Sequence, residues 1–161
     1  MKKAIILLAF VLSLTSCHSQ GSKTAKASSK TKLSKTDAQW KAALTPEQYQ
    51  VLRKKGTEAS FSGKYWNHFE DGYYACAACN NPLFTSNSKF NSECGWPSFD
   101  QAIKGSVIYK NDSTLGMQRT EVMCANCGGH LGHIFDDGPA ETTGKRFCTN
   151  SVSIVFIPKK K

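Results

Sequence analysis

The chain has 161 residues, 40% of them hydrophobic, with a formal charge of +9, which allows one modest domain once any targeting segment is set aside. The charge sits at the ends. Residues 1–36 hold seven lysines and no acid, so 14 of the 21 basic side chains face all 12 acidic ones over residues 37–161, and an excess smaller than the terminal Lys159-Lys160-Lys161 run leaves no charged face for nucleic acid.

Lys2 and Lys3, an apolar run over residues 4–14 and small residues beyond it have the layout of a secretory signal, and the run is too short to span a bilayer. Leu14-Thr15-Ser16-Cys17 resembles a bacterial lipoprotein box. That implies loss of residues 1–16, lipidation of Cys17 and a membrane anchor through its acyl chains; the alternative is a plain signal peptide with an incidental cysteine. His18-Ser19 follow, with no Asp, which by resemblance to Gram-negative sorting rules points to the outer membrane and a domain facing the periplasm. Residues 17–36, rich in Ser, Lys, Thr and Ala, are too polar to build a core and are expected to form a flexible tether ahead of a folded domain over 37–161.

Thr45-Pro46-Glu47-Gln48 opens with an N-cap candidate, Pro at the first helical position and acid in the first turn, predicting a short helix over 46–54 stopped by Gly56. Short aromatic and β-branched runs then predict strands over 72–75, 82–84, 106–109, 120–123 and 151–156, divided by Gly, Pro, Asn and Asp. The fold class is mainly antiparallel β, a sandwich or an open barrel, with a short N-terminal helix.

Cys17 aside, six cysteines remain, enough for three disulfides in a secreted protein. Cys76 and Cys79, and Cys124 and Cys127, form two Cys-x-x-Cys pairs followed by the turn-forming Asn80-Asn81-Pro82 and Gly128-Gly129. Thiolates at that spacing wrap one tetrahedral ion, so these four are expected to make a closed, structural zinc site joining two hairpins; the alternative is a pair of redox motifs. Cys148 opens the last predicted strand, where Arg146 can favour its thiolate, and a buried structural thiol fits there equally. Cys94 lies in a Gly- and Pro-bent loop beside Trp96 and Phe99. The two make either a structural bridge or a nucleophile with its resolving partner. His130 and His133, in a glycine-rich stretch read as loop, are proton donors or hydrogen-bond partners, or a surface pair without a role.

Three motifs carry a resemblance: Cys94-Gly95-Trp96-Pro97-Ser98-Phe99; Cys124-x-x-Cys127-Gly128-Gly129-His130-Leu131-Gly132-His133-Ile134-Phe135-Asp136-Asp137-Gly138-Pro139; and Arg146-Phe147-Cys148-Thr149-Asn150-Ser151. Over residues 44–158 the chain resembles the peptide-methionine (R)-S-oxide reductases. The resemblance implies two antiparallel sheets, one structural zinc ion away from the active site, no organic cofactor, and reduction of the R-epimer of methionine sulfoxide in oxidised proteins or peptides. By position it implies that Cys148 attacks the sulfoxide sulfur and is left as a sulfenic acid, that His130 and His133 deliver a proton while Asn150 holds the oxygen, and that Cys94, a cysteine only some members carry, resolves the sulfenic acid to a disulfide. Trp96 matches the indole that packs on the substrate S-methyl group; Phe135 and Phe147 complete that wall or are ordinary core, and Arg146 stabilises the thiolate. A thioredoxin-like periplasmic donor is the expected reductant and a monomer the expected state. Two rivals stand beside this reading. A zinc-ribbon binding module leaves Cys94 and Cys148 without a role, and a thiol sensor uses them without sulfoxide turnover.

Overall fold

Two capped helices open the part of the chain that the computed structural model describes, residues 33–160. The expected signal segment, the lipidation site at Cys17 and all but the last residues of the tether lie outside the described residues. Helix α1 spans Asp37–Ala43 and α2 spans Pro46–Leu52, each entered through a capping box: Thr36 with Gln39, and Thr45 with Gln48. Each box satisfies two amides that the first helical turn leaves unpaired. Their inward faces bury Trp40, Tyr49, Val51 and Leu52. Helix α1 is absent from the sequence reading because its cap, Thr36-Asp37-Ala38-Gln39, directly follows the lysine-rich stretch. Ahead of α1, the Leu33 amide donates to the Asn126 carbonyl at 2.7 Å and its side chain packs on the core. Helix α2 ends two residues earlier than expected, and Lys55 turns the chain with a φ of 61°. Among the described residues no helix is long and apolar enough to cross a membrane.

The rest is strand and turn: β1 (Gly72–Cys76), β2 (Pro82–Thr85), β3 (Lys89–Phe90), β4 (Ser98–Phe99), β5 (Val107–Asp112), β6 (Arg119–Cys124), β7 (His130–Phe135), β8 (Arg146–Thr149) and β9 (Ile154–Pro158). They form two antiparallel sheets, of order β2-β1-β9 and β3-β4-β8-β7-β6-β5, which is the mainly β class expected. Rings from both sheets meet between them: Phe84 stacks on Phe99 at 4.2 Å, with Tyr74 at 5.0 Å from Phe99 and Phe147 at 5.7 Å from Phe84. All four are buried, each contributing about 1.5–3 kcal/mol.

Two strand expectations differ from the structure. The predicted strand over 151–156 begins as a 3₁₀ turn, Ser151–Ser153, and only then becomes β9. The amides of Ser151 and Val152 are taken by the Glu58 carboxylate, and the Ser153 hydroxyl donates to the His130 carbonyl, so side chains occupy groups a strand ladder needs. Cys148 does not open that strand but lies on its own, β8.

Candidate active site and four-cysteine cluster

Strand register builds the site. Cys148 on β8 pairs across to Ser98 of β4 on one side and to His133 of β7 on the other, and His133 pairs with Glu121 of β6. Directly opposed residues share a sheet face, so Ser98, Cys148, His133 and Glu121 stand in one row. The histidine segment, read as loop, is the strand β7, and its irregularity is the useful feature. Residues three apart on a regular strand face opposite sides. Here the pairing steps from Val122 opposite Gly132 to Met123 opposite His130, leaving Leu131 as the extra residue of a bulge. The step turns both imidazoles to one face, with ring centroids 5.5 Å apart. Gly132 makes the close approach possible, since a Cβ there would collide with the Cys148 carbonyl.

Each histidine is held by a carboxylate that the sequence reading missed. His130 is 3% exposed, and its Nδ1 lies 2.8 Å from Glu121 Oε1, while Lys55 Nζ holds Glu121 Oε2 at 2.6 Å. Burial pushes the Glu121 carboxyl up, but the hydrogen bonds from Lys55 and His130 outweigh it and hold the group below its ordinary range. Burial pulls the His130 imidazole down, against Glu121. A neutral His130 places its proton on Nδ1 towards Glu121 and leaves a lone pair on Nε2, a buried atom with no partner among the described residues. His133 Nε2 meets Asp112 Oδ2 at 2.7 Å, and the same oxygen takes Arg119 at 2.8 Å. The Thr114 hydroxyl and amide, then His133, hold the Asp112 carboxyl well below its usual range.

Cys94 is brought to Cys148 by a tight loop in which Glu93 (φ 56°) and Gly95 (φ 86°) take left-handed conformations. The two sulfurs are 3.9 Å apart. The hydrogen bond from Cys148, helped by Ser92 and Ser98, pulls the Cys94 thiol down to about 4, while Cys148 is pushed up by donating that bond and by burial. Arg146 pulls Cys148 the other way, but more weakly. The pair therefore loses one proton easily and shares the second. Arg146 is itself fixed by a two-pronged bond to Asp137, 2.8 Å on each side, and its guanidinium lies 4.5 Å above the Phe135 ring.

The remaining expected residues divide. Trp96 is half-buried beside Cys94, its indole N–H donating to the Glu58 carbonyl at 3.2 Å. Phe135 pairs with Arg146 across β7 and β8 and shares the Cys148 face. Phe147 does not: alternation along β8 turns it into the core against Phe84, so its place in a substrate wall is corrected. Asn150 is buried with its amide committed to backbone, accepting from the Glu58 N–H and donating to the Leu131 carbonyl, 3.0 Å each. It clamps the bulge that carries the histidines.

The other four cysteines meet where the two sheets join. Cys76 ends β1 and Cys79 lies in the following turn; Cys124 ends β6 and Cys127 lies in the turn after it. Both turns close on a left-handed residue, Asn80 (φ 57°) or Gly128 (φ 70°), whose amide returns to the first cysteine's carbonyl. The four sulfurs lie within 4.8 Å of one another, with Cys76 to Cys127 at 3.7 Å and Cys79 to Cys124 at 3.6 Å. A tetrahedral ion with Zn–S bonds of about 2.3 Å sets its sulfurs about 3.8 Å apart, so the donor set and its spacing fit zinc.

A family model described as the SelR domain matches residues 44–158. The chain is 57% identical over 128 residues to the peptide methionine sulfoxide reductase MsrB of Agrobacterium fabrum, covering 79% of this chain and 94% of that one. It is 54% identical over 126 residues to the protein of the same name from Thiobacillus denitrificans (78% and 95% covered) and 52% identical over 125 residues to that from Leptospira interrogans (77% and 95%). With its thiol pair, its paired histidines and its four-cysteine cluster inside the matched segment, this chain belongs to the SelR family.

Proposed function

We propose that the protein is a thiol-dependent oxidoreductase that reduces the R-epimer of methionine sulfoxide in oxidised proteins or peptides. The observation that carries the reading is the Cys94–Cys148 pair, 3.9 Å apart with His133 directly opposite Cys148. A lone nucleophile needs no such neighbour, whereas a cycle that ends in a disulfide does.

The Cys148 thiolate attacks the sulfoxide sulfur and forms an S–S bond while the oxygen takes up a proton; the oxygen then passes to the Cys148 sulfur as that S–S bond and the original S–O bond break, the electron pair returning to the methionine sulfur, which gives a Cys148 sulfenic acid and free methionine thioether. His130 and His133 donate hydrogen bonds to the oxygen and supply the proton during transfer, His130 through Nε2 once that atom has taken up a proton; the lack of a partner for the buried Nε2 supports this, since a buried polar atom is costly until something meets it. The Cys94 thiolate then attacks the Cys148 sulfur, the S–O bond of the sulfenic acid breaks as its oxygen takes up a proton, and a disulfide and water result. A sulfur–sulfur bond is about 2.05 Å long, so the thiols close the rest of their gap mainly by movement of the Cys94 loop. An external thioredoxin-like dithiol restores both thiols. Trp96 packs on the substrate methyl, with Phe135 beyond it. Zinc held by Cys76, Cys79, Cys124 and Cys127 supplies a rigid clasp between the sheets.

Lipidation of Cys17 would tether this activity in the envelope, facing the periplasm; the leader's layout supports it. Labelling with a radioactive fatty acid tests it, with incorporation in the wild type and none in Cys17→Ala. For the reaction, dithiothreitol-driven turnover of a peptide sulfoxide by the zinc-loaded protein is expected in the wild type and absent in Cys148→Ser. Undiminished turnover in that variant would remove Cys148 from the chemistry.

A further inference from the structure

Glu58, in the connection between α2 and β1, touches three parts of the site at once. Its Oε1 accepts from the Ser151 amide at 2.5 Å and its Oε2 from the Val152 amide at 3.0 Å. Its own amide donates to Asn150 Oδ1 at 3.0 Å, and its carbonyl receives the Trp96 indole N–H at 3.2 Å. The chain around it folds back on the same turn: the Tyr65 amide donates to the Ser151 hydroxyl at 3.0 Å, and a Cβ at Gly63 would strike both that hydroxyl and the Glu58 carboxylate.

We infer that Glu58 is a positioning residue: its carboxylate, anchored on the turn that follows β8, holds the α2–β1 connection so that its carbonyl fixes the Trp96 ring beside the reacting thiols. The inference rests on the reading of Trp96 as the wall for the substrate methyl group. A carboxylate accepting two backbone N–H groups makes charge-assisted bonds, stronger than neutral ones and fixed in direction by the turn. An indole has two side-chain torsions, and its single N–H bond sets the ring plane; a carbonyl that drifts leaves the ring free to rotate. The separate bond from the Phe61 amide to the Gly95 carbonyl, 2.8 Å, keeps the connection attached when the carboxylate is lost. Removing it should therefore loosen the ring without detaching the loop.

The test is steady-state kinetics on a peptide R-sulfoxide with dithiothreitol, for wild type, Glu58→Ala, Glu58→Gln, Trp96→Ala and the double variant Glu58→Ala with Trp96→Ala. A sulfur–aromatic contact of about 0.3–1.5 kcal/mol corresponds to a rise in KM of about two- to tenfold on Trp96→Ala. Glu58→Ala is expected to raise KM into the same range with kcat within about twofold, and the double variant to match Trp96→Ala alone, the signature of two residues acting through one contact. Glu58→Gln keeps one of the two acceptor contacts and should fall between; it is near-isosteric and carries the test if the alanine variant fails to bind zinc and fold. Effects of Glu58→Ala and Trp96→Ala that multiply, or a loss of kcat at unchanged KM, overturn the inference while leaving the methyl-wall reading in place. An unchanged KM in Trp96→Ala overturns that reading, and the inference with it.

Discussion

Substituting Gly132 tests whether the site is built by strand register. The added Cβ of Gly132→Ala would overlap the Cys148 carbonyl oxygen and crowd Thr149 Cα at 3.1 Å, both backbone atoms of β8 that no side-chain rotation can move aside. The strands have to part. Overpacking costs about 1–3 kcal/mol, and a clash with backbone in the interior of the larger sheet belongs at the upper end. At about 3 kcal/mol, a domain of this size loses roughly 10 °C in melting temperature yet stays folded within the usual margin of about 5–15 kcal/mol. Because β7 carries His130 and His133 and β8 carries Cys148, the same parting separates imidazoles from thiol, and kcat should fall by at least about tenfold. The control is Gly105→Ala, where φ is +75° but nothing lies within 4 Å of the new Cβ; backbone strain of about 1–2 kcal/mol is expected there, with kcat unchanged. Calorimetric melting and sulfoxide turnover on both variants make the comparison. If Gly132→Ala melts within a degree or two of wild type and turns over normally, register does not position this site.

Further outcomes follow from other groups. Cys94→Ser should complete one turnover and stop, releasing one methionine per chain and leaving Cys148 about 16 Da heavier in an intact-mass spectrum, because nothing resolves its sulfenic acid. Chelation that removes one zinc per chain should lower the melting temperature by more than about 10 °C, since the cluster joins the two sheets. Lys89 is only 8% exposed, and burial pulls its ammonium from 10.5 down to about 8. Between those pH values the unfolded chain holds more protons than the folded one, so this residue makes stability rise with pH across that window; denaturant titrations should show a shallower rise for Lys89→Met.

The parts of this protein that announce themselves in sequence are those with short-range geometry. Two Cys-x-x-Cys pairs followed by Asn or Gly specify a metal-sized turn before any fold is known, and the structure closes both turns with left-handed Asn80 and Gly128. Alternating aromatic runs locate β1 and β2. The failures lie where tertiary partners override local pattern. Ser151–Ser153 reads as strand until Glu58, distant in sequence, takes its amides. The His130–Phe135 segment reads as loop because Gly132 and a bulge interrupt its alternation and Gly128-Gly129 precede it, although the bulge is what puts both histidines on one face. Glu121 and Asp112 carry no local sign of their role: each is one acid in or beside a predicted strand, and only the pairing of β5, β6 and β7 brings them to His130 and His133. Phe147 and Cys148 are adjacent in the most telling motif, yet the period of a strand sends them to opposite faces.

The most direct test of the central claim is a count of thiols and methionine at stoichiometric substrate. Reduced, zinc-loaded protein is mixed with one equivalent of the separated R or S epimer of a peptide methionine sulfoxide, with no reductant, and the cysteines are then mapped by alkylation and mass spectrometry. The account predicts one methionine formed per chain from the R-epimer, a Cys94–Cys148 disulfide and four untouched cysteines in the cluster, with no reaction of the S-epimer. Oxidation within the cluster in place of Cys94 and Cys148, or equal reaction of both epimers, would contradict it.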